Sequence, residues 1–160
     1  MKRKKMYLIT AIILAIVVSI FIANKHNACK KKDNAVCKIE IDNITLKLKV
    51  AYSKKAQEQG LMWVRELDDN SGMIFVYDQA KPLAFWMKNT LLPLSIAFVG
   101  PDGKISVIYD MYPEPNKEDK DLAIYPSRTP TKYAIEAPLG WFSIHNIKKN
   151  AYIKIPEELL

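Results

Sequence analysis

From Met6 to Ala23 the chain runs eighteen residues without a charge, and only Thr10 and Ser19 interrupt it with small polar side chains. As a helix that run is about 27 Å long at roughly 1.5 Å per residue, close to the hydrocarbon thickness of a bilayer. Lys2, Arg3, Lys4 and Lys5 precede it, while Lys25 and Lys30 to Lys32 follow it. Segment 1–24 is therefore expected to be a transmembrane signal anchor, with the amino terminus in the cytoplasm. A cleaved secretory leader has a shorter apolar stretch and small residues before the cut. Here a cut after Ala23 puts Phe21 at the third position upstream, and a cut after Ala28 puts His26 there. His26, Asn27 and Ala28 before Cys29 also differ from the small aliphatic residues that precede a lipid-modified cysteine. The expectation is a single-pass protein of the inner membrane, held through residues 6–23, with its domain on the extracytoplasmic side. Cleavage and release to the periplasm is the alternative.

The formal net charge of +7 does not belong to that domain. From residue 39 onward fifteen basic side chains face sixteen acidic ones. A basic stripe with interleaved aromatics, the footprint of nucleic-acid binding, is absent, so no nucleic-acid partner is expected. Residues 25–37 read as a basic stalk that sets topology or touches anionic lipid. Cys29 and Cys37, the only cysteines, lie in it; in an oxidising compartment they are a possible disulfide, the alternative being two free thiols in a tether. Residues 38–160 are long enough for one core.

Ile44, Leu46, Leu48 and Val50 alternate with Thr45, Lys47 and Lys49, the period of a strand with one wet face. Lys38 to Ile41 is a shorter strand, and Asp42 and Asn43 between the two suit a two-residue hairpin loop. Ser53 then caps a short helix over Lys54 to Gln59, which Gly60 ends. Further strands are expected at Met73 to Tyr77, Ala84 to Met87, Leu94 to Val99, Lys104 to Tyr109, Tyr133 to Ala137 and Ala151 to Ile155. Pro101, Asp102 and Gly103 form a turn, and Asp110 to Thr131, with four prolines, reads as a long surface loop. The fold class is mostly β: a compact sandwich or barrel-like domain with one short helix, behind the transmembrane segment.

A series of blocks adds to this reading: Gly60, Leu61, Met62; Arg65 and Leu67; Gly72 to Tyr77; Phe85 to Leu94; Ile96 to Val99; then Tyr125, Ser127, Pro130 and Tyr133 to Glu136. Together they resemble the domain-of-unknown-function family 192, also catalogued as uncharacterised protein family 0127. The resemblance implies a compact, mostly β domain, often carried by exported bacterial and archaeal proteins, with no established activity. The family commonly has an acidic residue where this chain has Ser95, and a glycine-flanked turn ending in aspartate where it has Asn146 to Ala151. Asparagine adopts the left-handed conformation, so the turn is expected to survive.

Trp86 and Lys88 are two apart and share one strand face opposite Phe85 and Met87, with Asn89 and Thr90 following. An indole, an ammonium and an amide in that order suit a pocket for a polar ligand, or else a core strand ending in turn-forming residues. Glu136 is a carboxylate on the apolar segment Tyr133 to Ala137 and needs a partner if buried. Beyond residue 28 only Arg65 and Arg128 carry a guanidinium, among seventeen lysines, which makes them the candidate forks for a carboxylate or anion.

No serine, cysteine or threonine stands in a nucleophile motif, and His145, the only histidine of the domain, reads as a surface or capping residue. Asp110, Glu114, Glu118, Asp119 and Asp121 do not match the calcium-loop spacing, so neither a metal nor another cofactor is expected. The functional expectation is a tethered domain binding a small polar ligand or envelope component through Arg65, Trp86, Lys88, Asn89, Arg128 and Glu136. The alternatives are an envelope hydrolase or transferase using Glu136 as general acid or base, and an assembly factor presenting a strand edge or apolar patch.

Overall fold

The computed structural model describes residues 29–41 and 43–160. The expected membrane span lies outside them, and among the described residues no helix is long and apolar enough to cross a membrane. The strands are β1 (Val36–Ile41), β2 (Ile44–Ala51), β3 (Ser71–Lys81), β4 (Ala84–Phe85), β5 (Leu94–Val99), β6 (Ile105–Met111), β7 (Tyr125–Pro126) and β8 (Thr131–Pro138). Two short helices join them, α1 (Lys54–Gln59) and α2 (Trp141–Ile144), with single 3-10 turns at Asp119–Asp121 and Glu157–Leu159.

Six strands form one sheet in the order β1-β2-β3-β8-β5-β6, and β4 pairs with β7 in a separate ribbon. Every pairing is antiparallel except β2 with β3. The parallel pair exists because α1 and the segment after it carry the chain back to the starting end of β2. The mostly β class is as expected; the second layer is a two-stranded ribbon, and the large sheet is open, with β1 and β6 at its edges.

The period of two sorts the central strands into two cores. Ile74, Val76, Ala97, Val99, Tyr133 and Ile135 face one way, under α2, Ile147, Ile153 and Leu159. Met73, Phe75, Ile96, Phe98 and Ala134 face the other way, under Leu61, Leu83, Met87 and Phe85. The ribbon is fixed to this second face by Phe85, whose ring meets Phe75 at 4.8 Å and Phe98 at 5.5 Å, both edge to face.

Local chemistry follows the expected signals at several points. Asn43 sits at φ 69° in the β1–β2 hairpin, which pairs Ile41 with Ile44. The Ser53 hydroxyl accepts the Ala56 amide at 3.2 Å, and Gly60, at φ 49°, ends α1 by donating to Ala56. Asn146 and Asn150, at φ 57° and 73°, take left-handed positions in the turn after α2.

Three expectations are corrected. Ala151 to Ile155 is not a strand; it meets the sheet only through an isolated antiparallel bridge from Tyr152 to Lys104, just before β6, while Ile153 packs into the first core. The Ala84 to Met87 strand is two residues long, since its partner β7 has only Tyr125 and Pro126 to offer. The described part of the stalk is not free chain. Cys29 and Cys37 are joined in a disulfide and buried in the first core, β1 starts at Val36, and Asp33 Oδ1 accepts the amides of Tyr52 at 2.9 Å and Ser53 at 2.8 Å. Ser53 above all, with Tyr52, holds the Asp33 carboxyl below its ordinary pKa.

Candidate functional site

Glu136 stands in the middle of the sheet, paired with Met73 on β3 and Ile96 on β5. The alternation of β8 turns it toward the second core, away from Ile135 and Ala137. The approach of β3 that frames it depends on Gly72, where a Cβ would lie 2.0 Å from the Glu136 carbonyl oxygen. Only 5% of the residue is exposed, and Oε2 is buried without a hydrogen-bond partner. Burial pushes the Glu136 pKa from 4.5 up to about 8, so at neutral pH the side chain is a carboxylic acid. Tyr77 is pushed up to about 12, chiefly by burial and then by the charge of Glu136.

Glu136 opens into a cavity of about 370 Å³. Phe75 and Tyr77 of β3, with Phe85 and Trp86, supply its aromatic walls; Gly60, Leu61 and Met62 close it from the end of α1. Gln57 locks α1 in place by donating to the Tyr52 carbonyl at 2.9 Å and the Val76 carbonyl at 2.8 Å. Lys54, Lys81 and Lys88 bring ammonium groups to the lining. Lys88 pairs with Asp119 and lies 5.4 Å from the Trp86 ring centre, while Lys81 lies 4.8 Å from that of Tyr77.

Of the six candidate residues, Trp86, Lys88 and Glu136 share this cavity. Asn89 lies next to it, in a depression of about 180 Å³ with Trp63 and Leu91 that also borders Lys88 and Thr90. Asn89 is at φ 54° and its carbonyl accepts the Trp63 amide at 2.9 Å, holding exposed Trp63 itself in a left-handed conformation at φ 64°. The two arginines are not brought to the site. Arg65 is exposed in the loop after α1, and Arg128 is exposed with its Nε donating to the Tyr109 hydroxyl at 2.9 Å. Neither is an ion-pair partner of Glu136, whose charge is relieved by holding its proton instead.

Other polar groups hold structure. Ser127 accepts the Leu83 amide at 3.0 Å and donates to the Thr129 carbonyl at 2.8 Å. His145 lies against the Trp141 ring, with Nδ1 2.8 Å from the Trp141 carbonyl at the end of α2. Buried Ser95 donates to Asp110 and accepts the Gly140 amide at 2.7 Å, tying β5 to β6 and to the start of α2. Among the described residues no three His, Cys, Asp or Glu side chains converge to hold a metal ion.

Phe75, Tyr77, Lys81 and Phe85 belong to the site but were not singled out from the sequence. Phe75 and Tyr77 share a parity on β3 that marks a common face, yet only the register of β3 against β8 reveals that this face meets Glu136.

Fold and cavity together define a class: an open mixed sheet with a buried acid beneath an aromatic-walled cavity. The chain belongs to the domain-of-unknown-function family 192 (DUF192, Uncharacterized ACR), whose model matches residues 37–155. It is similar to a crystal structure from Sinorhizobium meliloti 1021 described as a proposed transcription regulator: 28% identity, TM-score 0.65, covering 73% of this chain and 89% of that one. It is also similar to a protein of unknown function from Novosphingobium aromaticivorans DSM 12444: 27% identity, TM-score 0.64, covering 76% and 84% of the two chains. No curated protein matches the sequence.

Proposed function

We propose that this chain is a membrane-tethered extracytoplasmic domain that binds a small polar ligand or envelope component in the cavity over Glu136. The observation that carries the reading is Glu136, a nearly buried acid with one carboxyl oxygen left unpartnered, in the lining of an aromatic-walled cavity. A buried polar atom without a partner costs free energy that a ligand supplying the partner recovers. The regulatory description of the Sinorhizobium relative does not lead to a DNA-binding reading, because the domain here is nearly neutral.

The test is a melting-temperature screen of the full chain in a mild nonionic detergent against metabolites, sugars and metal ions. A ligand at a hundred times its dissociation constant adds about 2.7 kcal/mol, which raises the melting temperature by several degrees. The expected result is a ligand whose effect is lost in Glu136→Leu. A flat screen, with pull-downs returning one partner protein, refutes ligand binding in favour of an assembly role. A reporter active only outside the cytoplasm, fused at residue 40, tests the topology, and a silent fusion overturns it.

One observation favours a second reading, an envelope hydrolase or transferase: an acid titrating at about 8 is suited to proton transfer near neutral pH. In that case Glu136→Gln abolishes turnover and leaves affinity intact.

A further inference from the structure

The polar groups around the cavity divide into those already satisfied and those left over. Gln57 is spent on the Tyr52 and Val76 carbonyls, Thr90 donates to the Lys88 carbonyl at 3.3 Å, and Lys54 lies 3.7 Å from Glu58. Among the acidic and ammonium side chains of the lining, two are left unpaired. Glu136 Oε2 has no hydrogen-bond partner, and exposed Lys81 has no carboxylate within ion-pairing distance among the described residues. The acid is buried and the ammonium lies toward solvent, so a ligand reaching both has a polar group at each end.

The charges select its sign. Lys54, Lys81 and Lys88 line the cavity against Glu58 and the protonated Glu136, which favours an anion over a cation. Aromatic walls are also the usual receptors for cationic ligands. Here, however, the Tyr77 and Trp86 rings are already served by Lys81 and Lys88, so a ligand cation would have to displace the chain's own ammonium groups.

The walls select its body. Phe75 and Phe85 meet edge to face and make one continuous apolar surface between the floor and the rim. At about 370 Å³ the cavity lies near the lower end of the range of roughly 300–1,000 Å³ typical of small-molecule sites, so it suits one ring rather than a chain of them.

We propose that the cavity takes a small ring-bearing organic anion, its acid group held at the mouth by Lys81 and Lys88 and its far end accepting a hydrogen bond from Glu136. This rests on the ligand-binding reading above and names the ligand class. Lys81 is the residue that reads the acid group, since Lys88 is shared with Asp119.

The experiment compares three probes that share an acetylphenyl group and differ at the other end, which is anionic, neutral or cationic: 4-acetylbenzoate, 4-acetylbenzamide and 4-acetylbenzylamine. Each is titrated into the full chain in detergent by calorimetry. The expected result is that the acid binds about tenfold more tightly than the amide or the amine, as a charge-assisted contact supplies. Lys81→Gln, at an exposed position, is expected to bring the acid down to the affinity of the amide without lowering the melting temperature of the free chain. Equal affinities, or an amine preferred to the acid, overturn the anion assignment and leave the cavity as a ligand site. Failure of all three probes to bind also overturns it. The ligand-binding reading is then judged separately by the broad screen and its loss in Glu136→Leu.

Discussion

Replacing Glu136 with Gln makes the titration of one buried acid visible as a pH-dependent stability difference. In the folded chain the Glu136 pKa is raised from 4.5 to about 8 by burial, so the folded state keeps a proton that the unfolded state has already lost. Its contribution is therefore fully present below pH 4.5, shrinks as pH rises, and is lost once pH passes about 8. Each pKa unit is about 1.4 kcal/mol, so wild type loses up to about 5 kcal/mol relative to Glu136→Gln across that window. The other groups around the acid are Tyr77 and Lys81 of β3, Lys54 and Glu58 of α1, and Lys88 beyond β4. They are common to both proteins and cancel in the difference. The assay is urea unfolding of both full-length chains in the same detergent at steps from pH 4.5 to 8.5. With slopes of roughly 1–3 kcal/mol per molar urea, the gap between their midpoints should change by roughly 2 M or more. Parallel profiles across the whole range would refute the reasoning, because they mean that Glu136 ionises in the folded state at an ordinary pH.

Three other substitutions test the architecture around the site. Gly72→Ala places a methyl group 2.0 Å from the Glu136 carbonyl oxygen and 3.1 Å from Leu48 Cδ2, so β3 must move; a loss of about 2–4 kcal/mol in chemical denaturation is expected. Ser95→Ala strips the Gly140 amide of its buried acceptor and should cost about 1–3 kcal/mol, read as a lower urea midpoint. Breaking the Cys29–Cys37 bond with Cys37→Ser opens a loop of sequence separation 8, a loss of about 2.5 kcal/mol in the chain-entropy model that a reductant should reproduce in the wild-type chain.

Much of the framework was legible because local chemistry decides it. Alternation in Ile44 to Val50, the Ser53 and Gly60 caps and the asparagine turns act over a few residues, and each forms as read. Glu136 was recognisable as an acid on an apolar strand, and Trp86 and Lys88 as neighbours, although the strand read as aligning them ends at Phe85. What failed was the pairing of distant residues. Arg65 and Arg128 were natural partners for Glu136 by charge alone, but the sheet order carries them elsewhere, and the acid is accommodated by keeping its proton. The run Ala151 to Ile155 looked like a strand because it is rich in aromatic and branched residues; Ile153 packs against the first core without the run entering the sheet. Phe75 and Phe85 are separated by ten positions, and only the return of β4 over the sheet makes them one wall.

The claim on which the functional reading rests is that Glu136 is a neutral acid waiting for a partner in an open cavity. Its side-chain carboxyl resonance, followed by NMR through pH in the full chain with and without a ligand that raises the melting temperature, tests this directly. The account requires a midpoint near 8 in the free protein and a displacement of that midpoint when ligand binds. A midpoint near 4.5, or a resonance that the ligand leaves unmoved, would contradict it.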